Sequence, residues 1–144
     1  MLDNAQQRQL LFHGLVILFL GLLAGIGFSV AATGPVDAPS YGRWRFAHME
    51  GLLNGLLVIA IAGGWPVIQR GGRLLVAARW ALILGCYANI VGPILNALLV
   101  PKRLIVPETA LEALIVYGFY IPGTLPILAV PVFIYAVLAN RRAP

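Results

Sequence analysis

Four long apolar stretches divide this chain and constrain its fold more than any other feature. They cover about residues 10–32, 44–68, 74–100 and 111–139. About 20 apolar residues in a helix suffice to cross the hydrocarbon core of a bilayer. Of the 144 residues, 60% are hydrophobic and only 10% are charged, whereas a soluble domain carries about 25% charged residues. The sequence therefore predicts an all-α integral membrane protein, a single domain built as a four-transmembrane-helix bundle.

The segments between these stretches contain the expected breaks. Glycine and proline predict a loop over about residues 34–44, and further turns follow at residues 69–73 and 101–107. The first stretch exceeds the apolar core of about 7–15 residues in a signal peptide, so we expect a retained helix. Three prolines predict a bent or interrupted fourth helix: Pro122, Pro126 and Pro131.

The basic residues predict the orientation in the membrane. Four spans place both termini on the same side, and six basic residues fall there against four on the other side. The first group is Arg8, Arg70, Arg73, Arg79, Arg141 and Arg142, and the second is Arg43, Arg45, Lys102 and Arg103. The positive-inside rule then favours cytoplasmic termini, in a bacterial inner membrane. The net charge of +5 suggests anionic lipid head groups as partners, and we expect no nucleic acid.

A cluster of polar side chains stands at the start of the second stretch. Glu50 and Asn54 are four residues apart and share one face of a helix, while His48 points to another face. Ionisable groups in a membrane helix are by default candidates for a functional site. Gly51 and Gly55 form a small-xxx-small pair, which lets a second helix or a flat ligand approach the backbone. Such pairs also predict self-association.

The third and fourth stretches add further polar positions. A stripe of small and amide residues on the third predicts packing against protein or a ligand rather than lipid; its members are Gly85, Asn89, Gly92 and Asn96. Tyr87 lies away from that stripe. On the fourth stretch an α-helical period predicts one shared face for Tyr117, Tyr120 and Thr124.

The residue types narrow the possible chemistry. The chain has two histidines and one cysteine, Cys86, so neither an intrachain disulfide nor a multi-cysteine zinc site is expected. His48 has three open interpretations: an axial haem ligand, a proton relay with Glu50, or a plain interfacial histidine. His13 stands alone on its helix, and we interpret it as an interfacial residue.

Residues 47–55 (AHMEGLLNG) resemble the signature of the hydroxylaminobenzene mutases. Residues 87–89 (YAN) and 13–14 (HG) fit the same family, and the His…Leu-Asn-Gly core also resembles the related styrene oxide isomerases. The resemblance covers the first three spans. It implies a haem b bound through His48, with haems between the protomers of a trimer. The iron would act as a Lewis acid on a small aromatic substrate, rearranging an arylhydroxylamine to an aminophenol or an epoxide to an aldehyde.

The same resemblance implies roles for individual residues. Asn54 and Asn89 would orient the substrate oxygen or a haem edge, with Tyr87 as a further candidate. Gly51 and Gly55 would contact the cofactor. By charge and position, Arg43 and Arg45 could pair with the haem propionates at the membrane surface.

Two departures favour the mutase branch. Pro93 stands where the epoxide isomerase has a tyrosine, and Glu50 stands where it has a small residue. Glu50 is then a proton donor or acceptor, or a structural partner of Asn54. A non-catalytic haem protein for electron transfer, and a membrane protein whose polar residues only pack helices, remain alternatives.

Overall fold

The computed structural model describes residues 4–35, 38–68, 72–100 and 106–140. All four spans are long and apolar enough to cross a membrane. Over the described residues the chain is helical and contains no strand, so the predicted all-α four-helix membrane fold is confirmed. The elements are α1 (Asn4–Ala31), α2 (Pro39–Ile68), α3 (Arg73–Leu99), α4 (Ala110–Ile115), a π-helix (Val116–Tyr120), a 3-10 turn (Pro122–Thr124) and α5 (Leu125–Asn140).

The second helix begins earlier than predicted. It starts at Pro39, about five residues before the expected boundary, because a proline lacks only an N–H that the first helical turn does not use. The helix also continues through Pro66 to Ile68. Pro66 cannot donate to the carbonyl of Ala62, and Gln7 Nε2 from α1 donates to that oxygen at 3.0 Å.

The fourth span is interrupted, as its prolines predict. Thr109 Oγ1 accepts the backbone N–H of Glu112 and so caps α4. The N–H of Ile121 then reaches back five residues to the Val116 carbonyl, and a 3-10 turn follows. The prediction of a shared face for the two tyrosines is wrong, since it assumed 3.6 residues per turn. Tyr117 is mostly exposed, whereas Tyr120 is half-buried against α3.

Glycines bring α1 and α2 into backbone contact. A Cβ on Gly51 would overlap the Cα of Gly21, and a Cβ on Gly55 would lie 2.7 Å from the Cα of Leu18. The predicted close approach is therefore found, and the approaching helix is α1 of the same chain. Because this packing occupies both glycines, they leave no open surface for a flat cofactor or a second copy. Trimer formation stays a prediction.

The polar and glycine stripe of α3 packs against the fourth span, as predicted. Gly85 faces Pro126, and Gly92 faces Phe119 and Tyr120. A Cβ on Gly85 would overlap the Pro126 ring, and one on Gly92 would lie 2.8 Å from the Cβ of Phe119. The stripe therefore fixes the interrupted helix against α3.

The first and last described residues lie at the same end of the bundle. Gln7 and Gln9 near the start of α1 contact the end of α2 and the start of α3. A cavity of about 170 Å³ lies between the start of α3 and the end of α5, with Leu75 and Ala136 in its lining. The predicted cytoplasmic side stays a prediction, and part of the charge count lies outside the described residues: Arg70, Lys102, Arg103, Arg141 and Arg142. Arg79, which the charge count includes on the side of the termini, is only 7% exposed.

Candidate functional site

The imidazole of His48 is oriented by α1. Its Nδ1 lies 2.8 Å from the carbonyl oxygen of Gly21. A carbonyl only accepts, so Nδ1 carries the hydrogen, and in the neutral ring Nε2 then keeps its lone pair. The ring also stacks on Phe28, with centroids 6.0 Å apart and an interplanar angle of 20°. At Gly25 a Cβ would come within 2.9 Å of the ring. None of these three α1 residues was predicted to contact His48, because none of them carries a polar side chain.

This arrangement fits a haem ligand. A histidine that binds a metal commonly donates its other ring N–H to a backbone carbonyl, as His48 does to Gly21. Haem iron needs a single proximal histidine. Within the described ranges, no three His, Cys, Asp or Glu side chains come together as a multi-ligand site. The imidazole of His48, oriented by a backbone carbonyl, is therefore suited to bind a metal as a single protein ligand.

A hydrogen-bonded chain of side chains crosses from α2 to the fourth span. Asn54 Nδ2 donates to the carboxylate of Glu50 at 2.8 Å and to the Glu50 carbonyl at 2.9 Å. Asn54 Oδ1 accepts from Asn89 Nδ2 at 3.2 Å. The predicted Glu50–Asn54 pair is thus present. Since both N–H groups and the oxygen of Asn54 are engaged, this residue holds its neighbours rather than offering a donor to a substrate.

Asn89 connects this chain to the interrupted helix. Its Nδ2 also donates to the carbonyl of Gly123 at 2.9 Å. A Cβ at Gly123 would overlap Asn89 Oδ1, so only glycine fits there. Gly123 belongs to the 3-10 turn, whose irregular backbone leaves this carbonyl free to accept. The prolines of the fourth span therefore supply the acceptor that positions Asn89.

A second polar pair lies between α3 and the π-helix. Asn96 Nδ2 donates to the hydroxyl oxygen of Tyr120 at 3.0 Å. Asn96 is only 7% exposed. Neither Asn96 nor Tyr120 was predicted as a site residue, although Asn96 belongs to the polar stripe of α3.

His48 and this pair lie in the same half of the bundle. The helices α2 and α3 run antiparallel, and Asn54 contacts Asn89. Residues that precede Asn54 on α2 therefore lie at the same height along the bundle axis as residues that follow Asn89 on α3. His48 and Asn96 are two such residues. We call the set formed by His48, Glu50, Asn54, Asn89, Asn96 and Tyr120 the His48 layer.

The other two predicted polar residues lie elsewhere. The Tyr87 hydroxyl is 3.0 Å from His13 Nδ1, and Trp80 packs edge-on against the same imidazole at 6.3 Å. His13 precedes Gly21 by eight residues on α1, which is about 12 Å along the axis. The structure therefore does not bring Tyr87 to Glu50 and the asparagines. Nor does His13 stand alone, as its interfacial interpretation assumed.

Two arginines precede His48 on α2, towards the start of that helix. Arg45 and Arg43 precede His48 by three and five residues on α2, about 5 and 8 Å along the helix axis. Arg45 is exposed and Arg43 is half-buried. Their pairing with haem propionates at the membrane surface stays a prediction.

Comparison with known proteins agrees with the resemblance seen in the sequence. The sequence model of styrene oxide isomerase matches residues 6–138. The chain belongs to the styrene oxide isomerase family. Two relatives come from Ectopseudomonas oleovorans. Hydroxylaminobenzene mutase HabA is 35% identical over 92 residues, which cover 64% of this chain and 63% of the relative. Hydroxylaminobenzene mutase HabB is 33% identical over 87 residues, which cover 60% of this chain and 49% of the relative.

The chain therefore spans about half to two thirds of the length of these mutases. Family membership confirms the resemblance read from residues 47–55, 87–89 and 13–14. The family and both relatives carry isomerase or mutase names, which agrees with the prediction of an isomerase.

Proposed function

We propose that this chain is a haem-dependent membrane isomerase that rearranges a small aromatic hydroxylamine to an aminophenol. The observation that supports this most is the imidazole of His48, with Nδ1 bonded to Gly21 and Nε2 left with its lone pair. The names of the two mutases supply the substrate class. The family name supplies the class of reaction.

The residues around His48 would prepare it to hold the cofactor. The Gly21 carbonyl fixes the tautomer, and Phe28 fixes the plane of the ring. Bound haem b would supply a Lewis acid that polarises the bond to the substrate oxygen. The apolar interior excludes water, which would otherwise trap a cationic intermediate of the substrate.

Glu50 supports the hydroxylamine reaction over the epoxide reaction. Conversion of an arylhydroxylamine to an aminophenol moves the hydroxyl group from nitrogen to a ring carbon. That carbon loses a proton, and the nitrogen gains one. An epoxide becomes an aldehyde by an internal hydride shift, which needs no such exchange. A carboxyl group held inside the bundle by Asn54 can accept the first proton and return one to nitrogen.

Epoxide rearrangement is the second candidate because the matching family is named for it. An electron-transfer haem protein with two histidine ligands from one chain has less support. His13 is bonded to Tyr87 and lies about 12 Å along α1 from the residue that holds His48.

The visible spectrum of detergent-purified protein, prepared with haem available, tests the cofactor. We expect a Soret band in the wild type that is lost in His48→Ala. The matched control, His13→Ala, should keep the band. Loss of haem in the control alone, or no haem in any of the three proteins, would remove the basis of the proposal.

Glu50→Gln tests the proton-transfer role. This variant keeps the hydrogen-bonding shape beside Asn54 but cannot exchange a proton. We expect kcat for hydroxylaminobenzene to fall about 100-fold, since positioned proton transfer typically contributes 10²–10⁴. Haem content should not change. Unaltered turnover would make Glu50 a structural partner of Asn54 only.

A further inference from the structure

The side chain of Asn96 has an unused acceptor inside the bundle. Its Oδ1 is buried and accepts no hydrogen bond from the described residues. The residue itself is only 7% exposed. A buried amide oxygen without a donor is costly. The position therefore fits a ligand that brings an N–H or O–H group.

Tyr120 offers the complementary group beside it. Because the hydroxyl oxygen accepts from Asn96 Nδ2, its own proton is free to donate elsewhere. Tyr120 ends the π-helix, a feature that is often found at functional sites. Gly92 leaves room for the ring, since a Cβ there would lie 3.3 Å from two of its carbons. The backbone thus holds a donor and an acceptor side by side.

We propose that Asn96 and Tyr120 bind the polar group of the substrate and select arylhydroxylamines over epoxides. This inference rests on the proposed function and assigns its substrate specificity to two residues. Asn96 Oδ1 accepts an N–H or O–H of the hydroxylamine, and the Tyr120 hydroxyl donates to its oxygen. An epoxide oxygen only accepts, so an epoxide leaves Asn96 Oδ1 without a partner. Sites built to bond a substrate donor discriminate strongly against analogues that lack it.

The position also suits a lipid-soluble substrate. Tyr120 is half-buried, and the neighbouring Tyr117 and Gly118 are exposed on the surface that the bilayer covers. A small aromatic molecule dissolved in the membrane can approach from that side. It then meets the polar pair formed by Asn96 and Tyr120.

Two variants and one control test this assignment. Asn96→Leu removes the amide at similar volume, and Tyr120→Phe removes only the hydroxyl. Tyr117→Phe is the matched control, because that side chain is 61% exposed on the same π-helix. The measurements are kcat/KM for hydroxylaminobenzene and for styrene oxide. Ligand-induced shifts of the melting temperature add a readout that needs no turnover.

We expect both variants to lower kcat/KM for hydroxylaminobenzene at least about tenfold, because each loses one buried hydrogen bond to the substrate. In Asn96→Leu, turnover of styrene oxide should change by less than about threefold, whereas Tyr120→Phe should lower turnover of both substrates because either oxygen can accept from the hydroxyl. The Tyr117→Phe control should match the wild type. The thermal shift with hydroxylaminobenzene should disappear in Asn96→Leu. Equal losses on both substrates in Asn96→Leu would reveal a merely structural role of the amide. A selective loss of epoxide turnover would show that the amide presents a donor, and would overturn the assignment.

Failure of the proposed function is distinguishable from failure of this inference. If the wild type converts neither substrate, the isomerase proposal is wrong, and the thermal shifts alone decide. Stabilisation of the wild type by hydroxylaminobenzene, lost in Asn96→Leu and Tyr120→Phe, still supports the pair. Equal shifts in all four proteins overturn it.

Discussion

Gly25 has no side chain, and this determines where the His48 imidazole lies. The ring fills the space that a Cβ would occupy, and this places Nδ1 beside the Gly21 carbonyl. The orientation of the proposed haem ligand is therefore set by a residue without a functional group. Such positioning residues commonly change metal affinity by 10- to 100-fold when altered.

Gly25→Ala should displace the imidazole of His48 and weaken haem retention at least about tenfold. Haem transfer to apomyoglobin from the detergent-solubilised protein measures this. Gly63→Ala is the control, since a Cβ at that helical position meets nothing within 4 Å. Equal retention in both variants would show that the ring tolerates the added methyl group.

Residue-scale prediction succeeded where both partners lie on one helix. The spacing of Glu50 and Asn54 predicted their contact, and the structure contains it. The partner of His48 could not be predicted, because it is a backbone carbonyl on another helix. For the same reason no pattern in the sequence indicated that Tyr87 bonds His13 across the bundle rather than joining Asn89.

Proline affects the elements by leaving carbonyls without donors. Pro66 removes the helical donor to Ala62, and Gln7 replaces it from α1. The 3-10 turn that begins at Pro122 leaves the Gly123 carbonyl without a helical donor, and Asn89 Nδ2 donates to it. At these two positions a carbonyl without a helical donor thus becomes a specific contact with a neighbouring helix, as membrane proteins require where no water can satisfy the backbone.

A double-mutant cycle tests the first of these contacts. Gln7→Ala should lower the free energy of unfolding by about 1 kcal/mol. In a Pro66→Ala background the same change should cost close to nothing, because the new backbone N–H at position 66 would donate to the Ala62 carbonyl itself. Thermal unfolding in detergent measures both. Gln6→Ala serves as the control, and an equal cost of Gln7→Ala in both backgrounds would refute the mechanism.

Hydropathy predicted the four spans because length and apolarity are local properties of the sequence. It misplaced the start of α2, because a proline within the first helical turn resembles a loop signal. It also missed the π-helix. The i→i−5 bond depends on how Tyr120 meets Asn96 and Gly92 on α3, and a single-helix period contains no such information.

In the whole molecule, the polar side chains discussed above lie at two levels of the bundle. The His48 layer lies towards the end of the bundle opposite the termini. His13, Tyr87, Gln9 and Arg79 lie nearer the termini, where Arg79 donates to Gln9 Oε1. If the termini are cytoplasmic as predicted, the proposed reaction takes place in the outer half of the membrane.

Fusion reporters test this orientation. Green fluorescent protein joined after Pro144 should fluoresce, whereas alkaline phosphatase at the same position should be inactive. Reporters placed in the segment between α3 and α4 should behave in the opposite way. Active phosphatase at the end of the chain would invert the topology and place the His48 layer in the cytoplasmic half.

The backbone contact between Gly21 and Gly51 also has a consequence for biogenesis. The carbonyl that completes His48 belongs to α1, so the imidazole acquires its tautomer and orientation only when the first two helices have closed into a hairpin. Under the proposed function, cofactor loading then follows membrane insertion and depends on it. A chain whose hairpin opens would release its haem and could not reload it until the two helices packed again.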